Sequence, residues 1–271
     1  MNKVSLGCLL LLGAIGCASD SDTLSYDDFR KQAHFDQETG TYIVNGDELV
    51  ENEAAMRDMY DRYLATMGKV SDAEAGLFTA EQGLIVNRVG TADDKWSATT
   101  AVNLNYCINK ASFGTRYTTL VNAMNSAAAA WEATARVNFI HQSTKDTACS
   151  TTTAGTVFNI RLVSGQPYLA RAFFPSTTRS GREILVDSTS FGVISPWTLT
   201  GILRHELGHT IGFRHEHTRP ESRTCFENNL WRALTTYDSA SVMHYPQCNG
   251  TQTGDLVLTA RDKSGARLLY P

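Results

Sequence analysis

The chain has 271 residues, 42% hydrophobic and 19% charged, enough apolar material to bury a core, which excludes a disordered, collagenous or coiled-coil chain. Its formal net charge of -4 supplies no basic field for holding nucleic acid, so no nucleic-acid partner is expected. The charge is uneven: residues 18–95 carry 17 Asp and Glu against 7 Lys and Arg, and residues 96–271 carry 11 against 16, so a unit of -10 precedes one of +5 and the two are expected to attract.

Met1-Asn2-Lys3, the apolar run Leu9 to Leu12, and Gly13, Ala14, Ile15 and Gly16 before Cys17 follow the charged, apolar, small-residue order of a secretory signal peptide over residues 1–17. The run is too short to span a bilayer and remain there. Ala14-Ile15-Gly16-Cys17 is similar to a bacterial lipobox, which implies a lipid anchor at Cys17 as the one membrane attachment. An ordinary signal peptide with a chance cysteine is the alternative. Either way the protein is exported, and it is expected outside a bacterial cell, on its surface or in its periplasm. Cys107, Cys149, Cys225 and Cys248 then remain in an oxidising compartment, an even number that reads as two disulfides. Four cysteines allow three pairings, and proximity favours Cys107 with Cys149 and Cys225 with Cys248.

Thr41-Tyr42-Ile43-Val44 reads as a strand, and Asn52 to Met67 as a helix with Met56, Met59, Tyr60 and Tyr63 on one face. Residues 18–95 show no catalytic constellation. Ala101 to Tyr106 alternates like a half-buried strand. Tyr117, Leu120, Val121, Met124, Ala128 and Trp131 recur at three- and four-residue steps and predict an amphipathic helix. Strands are expected at Val137 to Ile140, Val157 to Val163, Leu169 to Phe174 and Ile184 to Val186. Ser195-Pro196 predicts the start of a second helix, with Ser as N-cap and Pro at the first helical position.

That helix contains His205-Glu206-Leu207-Gly208-His209. Four residues of helix return a side chain to nearly the same face, so both imidazoles can hold one metal ion. Gly212 tolerates a left-handed backbone and can end the helix in a sharp turn that brings His215 back as a third ligand. Three imidazoles and an open position describe one catalytic Zn2+ ion. Glu206 is the expected general base. The H-E-x-x-H pattern arises by chance in roughly one chain in a hundred of this length, and the extended pattern far more rarely, so coincidental helix-face histidines are set aside. His34, His141 and His217 have nothing nearby in sequence to complete a site and are read as ordinary surface histidines.

His205 to Glu216, reading HELGHTIGFRHE, resembles the long zinc motif of the metzincin metallopeptidases, and Ser241-Val242-Met243-His244-Tyr245 resembles their Met-turn in its astacin form. Leu169 to Pro175 is similar to the edge strand of matrixins, in which a histidine for a structural zinc stands at the place of Arg171; a second zinc is therefore not implied. Leu258 to Tyr270 resembles the final helix of a metzincin catalytic domain. The resemblance covers about residues 96–271 and implies an α+β catalytic domain. Its parts are a twisted, mainly parallel five-stranded sheet, two long helices and an irregular C-terminal subdomain, with zinc in the groove between. Residues 18–95 then read as a small acidic pro-region.

The resemblance also implies that Tyr245 ligates the resting zinc and later donates a hydrogen bond to the oxyanion, and that Met243 forms an apolar floor beneath the metal. The substrate would pair its backbone with Ala170 to Phe174. A packed core tyrosine, and plain core phenylalanines at Phe173 and Phe174, are the alternatives. Val44-Asn45-Gly46-Asp47-Glu48 resembles the short motif by which astacin pro-regions place an aspartate on zinc, although Asn-Gly-Asp is also what an ordinary hairpin turn looks like. The expected function is a zinc-dependent endopeptidase acting on protein or peptide substrates as a monomer. A zinc-fold surface lipoprotein that binds without turnover is the alternative, and against it stands Glu206, which a binder does not need. An enzyme using the same trio on a non-peptide amide is a third reading.

Overall fold

The computed structural model describes residues 24–67, 84–225, 227 and 230–271; the signal-peptide and lipobox readings lie outside them, as does the side chain of Tyr63. The first unit opens with α1 (Tyr26–Lys31), capped by the Ser25 hydroxyl, which accepts the Asp28 N–H. β1 (His34–Asp36), β2 (Thr41–Val44) and β3 (Glu48–Val50) form an antiparallel sheet in that order, and α2 (Glu53–Met67) follows. Strand alternation gives β2 two faces. Tyr42 and Val44 join Val50 and Met56 in a small core of their own, whereas Ile43 packs against Val163, Tyr168 and Leu185 of the main body. Burial of Ile43 to 3% exposure contributes roughly 1.5–3 kcal/mol to holding this unit in place.

The main body continues through β4 (Ile85–Val89), β5 (Ala92–Asp93), α3 (Ala98–Ala101), β6 (Leu104–Ile108), α4 (Lys110–Phe113), α5 (Tyr117–Glu132) and β7 (Phe139–His141). β8 (Phe158–Val163), β9 (Ala170–Arg171), β10 (Glu183–Asp187), α6 (Leu199–Thr210), β11 (Trp231–Ala233) and α7 (Ala260–Leu269) complete it. Five strands lie in the order β7-β6-β8-β10-β9, parallel except for β9, which runs antiparallel to β10 at the edge. This is the mainly parallel sheet of the expected α+β fold.

α5 buries Leu120, Met124, Ala128 and Trp131, the stripe legible in the sequence, together with the small Ala123 and Ala127. Small residues there let α6 pack closely. The Trp131 indole donates to the Arg204 carbonyl at 2.9 Å and its ring stacks on Phe213 at 5.4 Å, which fixes α6 and the turn after it against α5. The disulfides are Cys107–Cys149 and Cys225–Cys248, the pairs that proximity favours.

α6 begins later than Ser195-Pro196 predicts. Thr198 is the N-cap: it is extended at φ -123°, and its hydroxyl accepts the Gly201 N–H at 3.0 Å, the bond that a cap supplies. The strand expected over Leu169 to Phe174 is paired only at Ala170 and Arg171. The expected division at residue 95 follows charge, and the segment just before it packs with the main body. Leu84 and Val86 are buried in the main core, β4 pairs with β11, and the Arg214 N–H donates to the Ile85 carbonyl at 3.0 Å. An apolar Leu84-Ile85-Val86 segment is drawn into the larger core whatever the charge of its neighbours.

Candidate metal centre

α6 sets His205 and His209 one turn apart and stops at Gly212, whose φ is +100°. A Cβ there would lie 2.2 Å from the Asp94 carbonyl oxygen, so both conformation and space demand glycine. β4 fastens the turn, its Asn87 N–H donating to the Gly212 carbonyl at 2.7 Å, and the chain returns His215 to the other two histidines.

The three rings are oriented from behind. His205 Nδ1 donates to the Val242 carbonyl at 2.7 Å, His209 Nδ1 to the Phe213 carbonyl at 2.8 Å, and His215 Nδ1 to Glu227 Oε1 at 2.7 Å. A proton on each Nδ1 leaves each Nε2 as a lone pair, and the lone pairs converge. His205 and His209 Nε2 stand 3.2 Å apart. Asp47 enters the same space, 3.0 Å from His215 Nε2, 3.3 Å from His205 Nε2 and 3.6 Å from His209 Nε2. One ligand atom from each of these four buried residues lies within 4.8 Å of the others. His215 Nε2 and Asp47 Oδ1 have no hydrogen-bond partner among the described residues. Buried imidazole nitrogens and a carboxylate that converge on one space suit a cation, and three imidazole nitrogens with one carboxylate oxygen suit zinc.

Asp47 stands on the tip of the β2–β3 hairpin, where Asn45 (φ 55°) and Gly46 (φ 102°) take positive φ. The segment is thus a hairpin turn that also carries its aspartate to the histidines. A Cβ on Gly46 would come within 3.0 Å of the Tyr245 Oη, and the Tyr245 hydroxyl donates to Asp47 Oδ2. Tyr245 also lies over His205 and His215, with ring centroids at 5.5 and 4.6 Å.

Glu206 is 2% exposed, and its Oε2 has no hydrogen-bond partner among the described residues. Burial, and then the charge of Asp47, hold its carboxyl well above the usual range. Burial pushes His205 down to about 4, which keeps that imidazole neutral. Met243 is fully buried, and a Cβ on Gly208 would approach its Sδ to 2.4 Å, so the glycine lets α6 sit directly on the methionine. Asp262 fixes the Met243 turn by accepting from the Ser241 hydroxyl at 2.6 Å and the Val242 N–H at 2.9 Å, while serving in the capping box of α7. Phe173 is a core residue, as one reading of it allowed, and Phe174 meets His209 edge-on at 5.5 Å. Beside His205 and Glu206 opens a cavity of about 220 Å³ with Leu169, Ala170, Trp197, Ile202 and Leu256 in its walls.

Reading His217 as a surface residue is corrected. It is 2% exposed, its Nδ1 accepts the Tyr245 N–H at 3.2 Å, and its ring stacks on His215 at 4.6 Å. His141 is likewise engaged, 2.8 Å from Asp146 and stacked on Tyr106, whereas His34 is exposed. Glu227 was not legible in the sequence at all. The one signal pointing to it is Cys225, two residues away, whose partner Cys248 follows the Met243 turn closely.

A family model described as metallo-peptidase family M12 matches residues 60–253. Tolloid-like protein 2 of Mus musculus is 36% identical over 89 residues, 25% of this chain and 9% of that protein. An extracellular metalloprotease of Colletotrichum graminicola is 33% identical over 89 residues, 30% of this chain and 31% of that protein. The chain thus spans about a tenth and about a third of these two relatives. Among solved structures, high choriolytic enzyme 1, a hatching-enzyme zinc protease from Oryzias latipes, is 18% identical, with 68% of this chain and 98% of that one covered at a TM-score of 0.42. Myroilysin is 17% identical, with 69% and 98% covered at a TM-score of 0.47. The family match takes in more than two thirds of the sequence, and with it the histidine helix and the Met243 turn: the chain belongs to metallopeptidase family M12, within the metzincins.

Proposed function

We propose that the chain is an exported zinc endopeptidase made as a latent precursor, with His205, His209 and His215 as the ligands of one zinc ion. The observation that carries this reading is the convergence of three Nε2 lone pairs beside the unpartnered carboxyl of Glu206. Bound zinc supplies a polarised carbonyl and a water acidified to a pKa of about 7. Glu206 takes the proton of the attacking water and hands it to the leaving amine. Tyr245, released from Asp47, offers its hydroxyl to the oxyanion. The substrate lies extended along Ala170 to Phe174, and the apolar walls at Leu169, Trp197, Ile202 and Leu256 accept an apolar side chain beside the scissile bond.

Metal-dependent hydrolysis of casein by the matured protein tests the reading. Activity should vanish with a zinc chelator and return with added zinc. A zinc-loaded protein that cleaves nothing would leave the binding lipoprotein as the better account. Export agrees with the two disulfides, and among the described residues no helix is long and apolar enough to cross a membrane; intact mass of the exported protein decides whether Cys17 carries lipid. Tyr245→Phe should keep the fold and the metal and slow turnover about ten- to a thousandfold, the range for losing one oxyanion donor. Equal kcat in the two proteins removes the tyrosine from the mechanism.

Latency falls to the 24–67 unit. Its carboxylates engage the body at several points: Asp47 among the histidines, Glu48 against Arg214 at 3.3 Å, Glu51 accepting from the Thr178 N–H and hydroxyl at 2.9 and 2.8 Å, and Glu38 against Arg161 at 2.9 Å. The acidic unit docks on the basic one through these contacts. Asp47→Ala should give a precursor that is already active or processes itself early, seen as casein cleavage or self-shortening before any added protease. A variant as silent as the parent assigns latency to steric cover of the cleft instead.

A further inference from the structure

The three histidines are not supported alike. His205 and His209 lean on backbone carbonyls, whose positions the fold dictates. His215, the one ligand outside α6, leans on a side chain, and that side chain is itself held. Glu227 is only 2% exposed at its side chain. Its Oε1 accepts His215 Nδ1 at 2.7 Å and lies 3.4 Å from His217 Nε2, while its Oε2 accepts Arg214 Nη2 at 2.7 Å. Arg214, 2% exposed, also reaches Glu48 at 3.3 and 3.4 Å. The backbone that bears Glu227 is fastened on both sides: Cys225 is bonded to Cys248, and the Leu230 carbonyl accepts the Arg88 N–H at 3.0 Å.

We propose that Glu227 is the positioning residue for the third zinc ligand. Its carboxylate fixes the proton of His215 on Nδ1, sets the ring plane and makes Nε2 a better electron donor, and Arg214 holds that carboxylate in register. His215 follows a turn and has no helical period to aim it, so its direction depends on this contact more than those of His205 and His209 do. The inference rests on the zinc reading and is separable from it, because its readout is metal affinity.

The experiment is competition for zinc between a chromophoric chelator and the full exported chain, with thermal melts of the zinc-free proteins alongside. Glu227→Ala should weaken zinc binding toward a hundredfold and Glu227→Gln about tenfold, the range that partners behind metal ligands command. The glutamine keeps the volume and can still accept from His215 through its one amide oxygen, while losing the charge and the bond to Arg214, so it decides the matter should the alanine variant fail to fold. A purely structural role predicts lower melting temperatures with the parent's zinc Kd in both variants, and that result overturns the proposal. Absence of zinc binding by the parent itself overturns the metal reading instead.

Discussion

Replacing Glu206 with alanine leaves zinc bound and lowers turnover by about two to four orders of magnitude, the range in which a positioned proton carrier acts. The separation of effects follows from geometry. Glu206 neighbours His205 in sequence, yet the cluster of converging ligand atoms is formed by Asp47, His205, His209 and His215 without it. Burial, and then the charge of Asp47, raise its carboxyl. Zinc content by mass spectrometry and kcat/KM on one peptide check both halves. Loss of metal, or turnover near that of the parent, would sink the assignment.

His209→Ala has the opposite signature: most of the zinc is lost and activity goes with it. Zinc sites of four protein ligands bind with roughly 10–16 kcal/mol, so one ligand in four carries about 2.5–4 kcal/mol, or two to three orders of magnitude in Kd. His209 is the central ligand, 3.2 Å from His205 Nε2 and with its ring 4.8 Å from that of His215. Zinc content after dialysis against a weak chelator reads the loss, and circular dichroism establishes that the fold survives. Full occupancy in this variant would show that the ligands have been misread.

How much of this was legible depends on the distance over which each feature is encoded. The histidine pair is encoded in one helical turn, and Gly212 with His215 in the next few residues, so spacing alone reaches them. The α5 stripe is legible for the same reason, since period and core face coincide. Glu227 and His217 are positioned by tertiary contacts, a disulfide and the stack on Tyr245, to which no local pattern points. The small sheet β11-β4-β5 joins residues 85–93 to 231–233, a pairing that charge bookkeeping obscured by assigning its first strands to the acidic unit. Asn45-Gly46-Asp47 offered two readings, a turn or a carboxylate for the metal, and the observed hairpin turn is one that sets the Asp47 carboxylate beside the histidines.

The irregular C-terminal part bears on the survival of the enzyme among its own copies. A peptidase that binds extended backbone meets itself as the most abundant substrate, and segments without ladder hydrogen bonds open most readily. Between Ala233 and Ala260 the structure holds no strand and one short 3-10 turn at Pro246–Cys248, so self-digestion is expected to begin in the exposed parts of this stretch. Cys225–Cys248, closing a separation of 23 residues, takes roughly 3 kcal/mol of freedom from the opened loop, and the Asp262 capping box pins the far side. Reduction of that bond would therefore shorten the lifetime of the enzyme in concentrated solution and also loosen the segment that bears Glu227, with the first nicks mapping between residues 234 and 259.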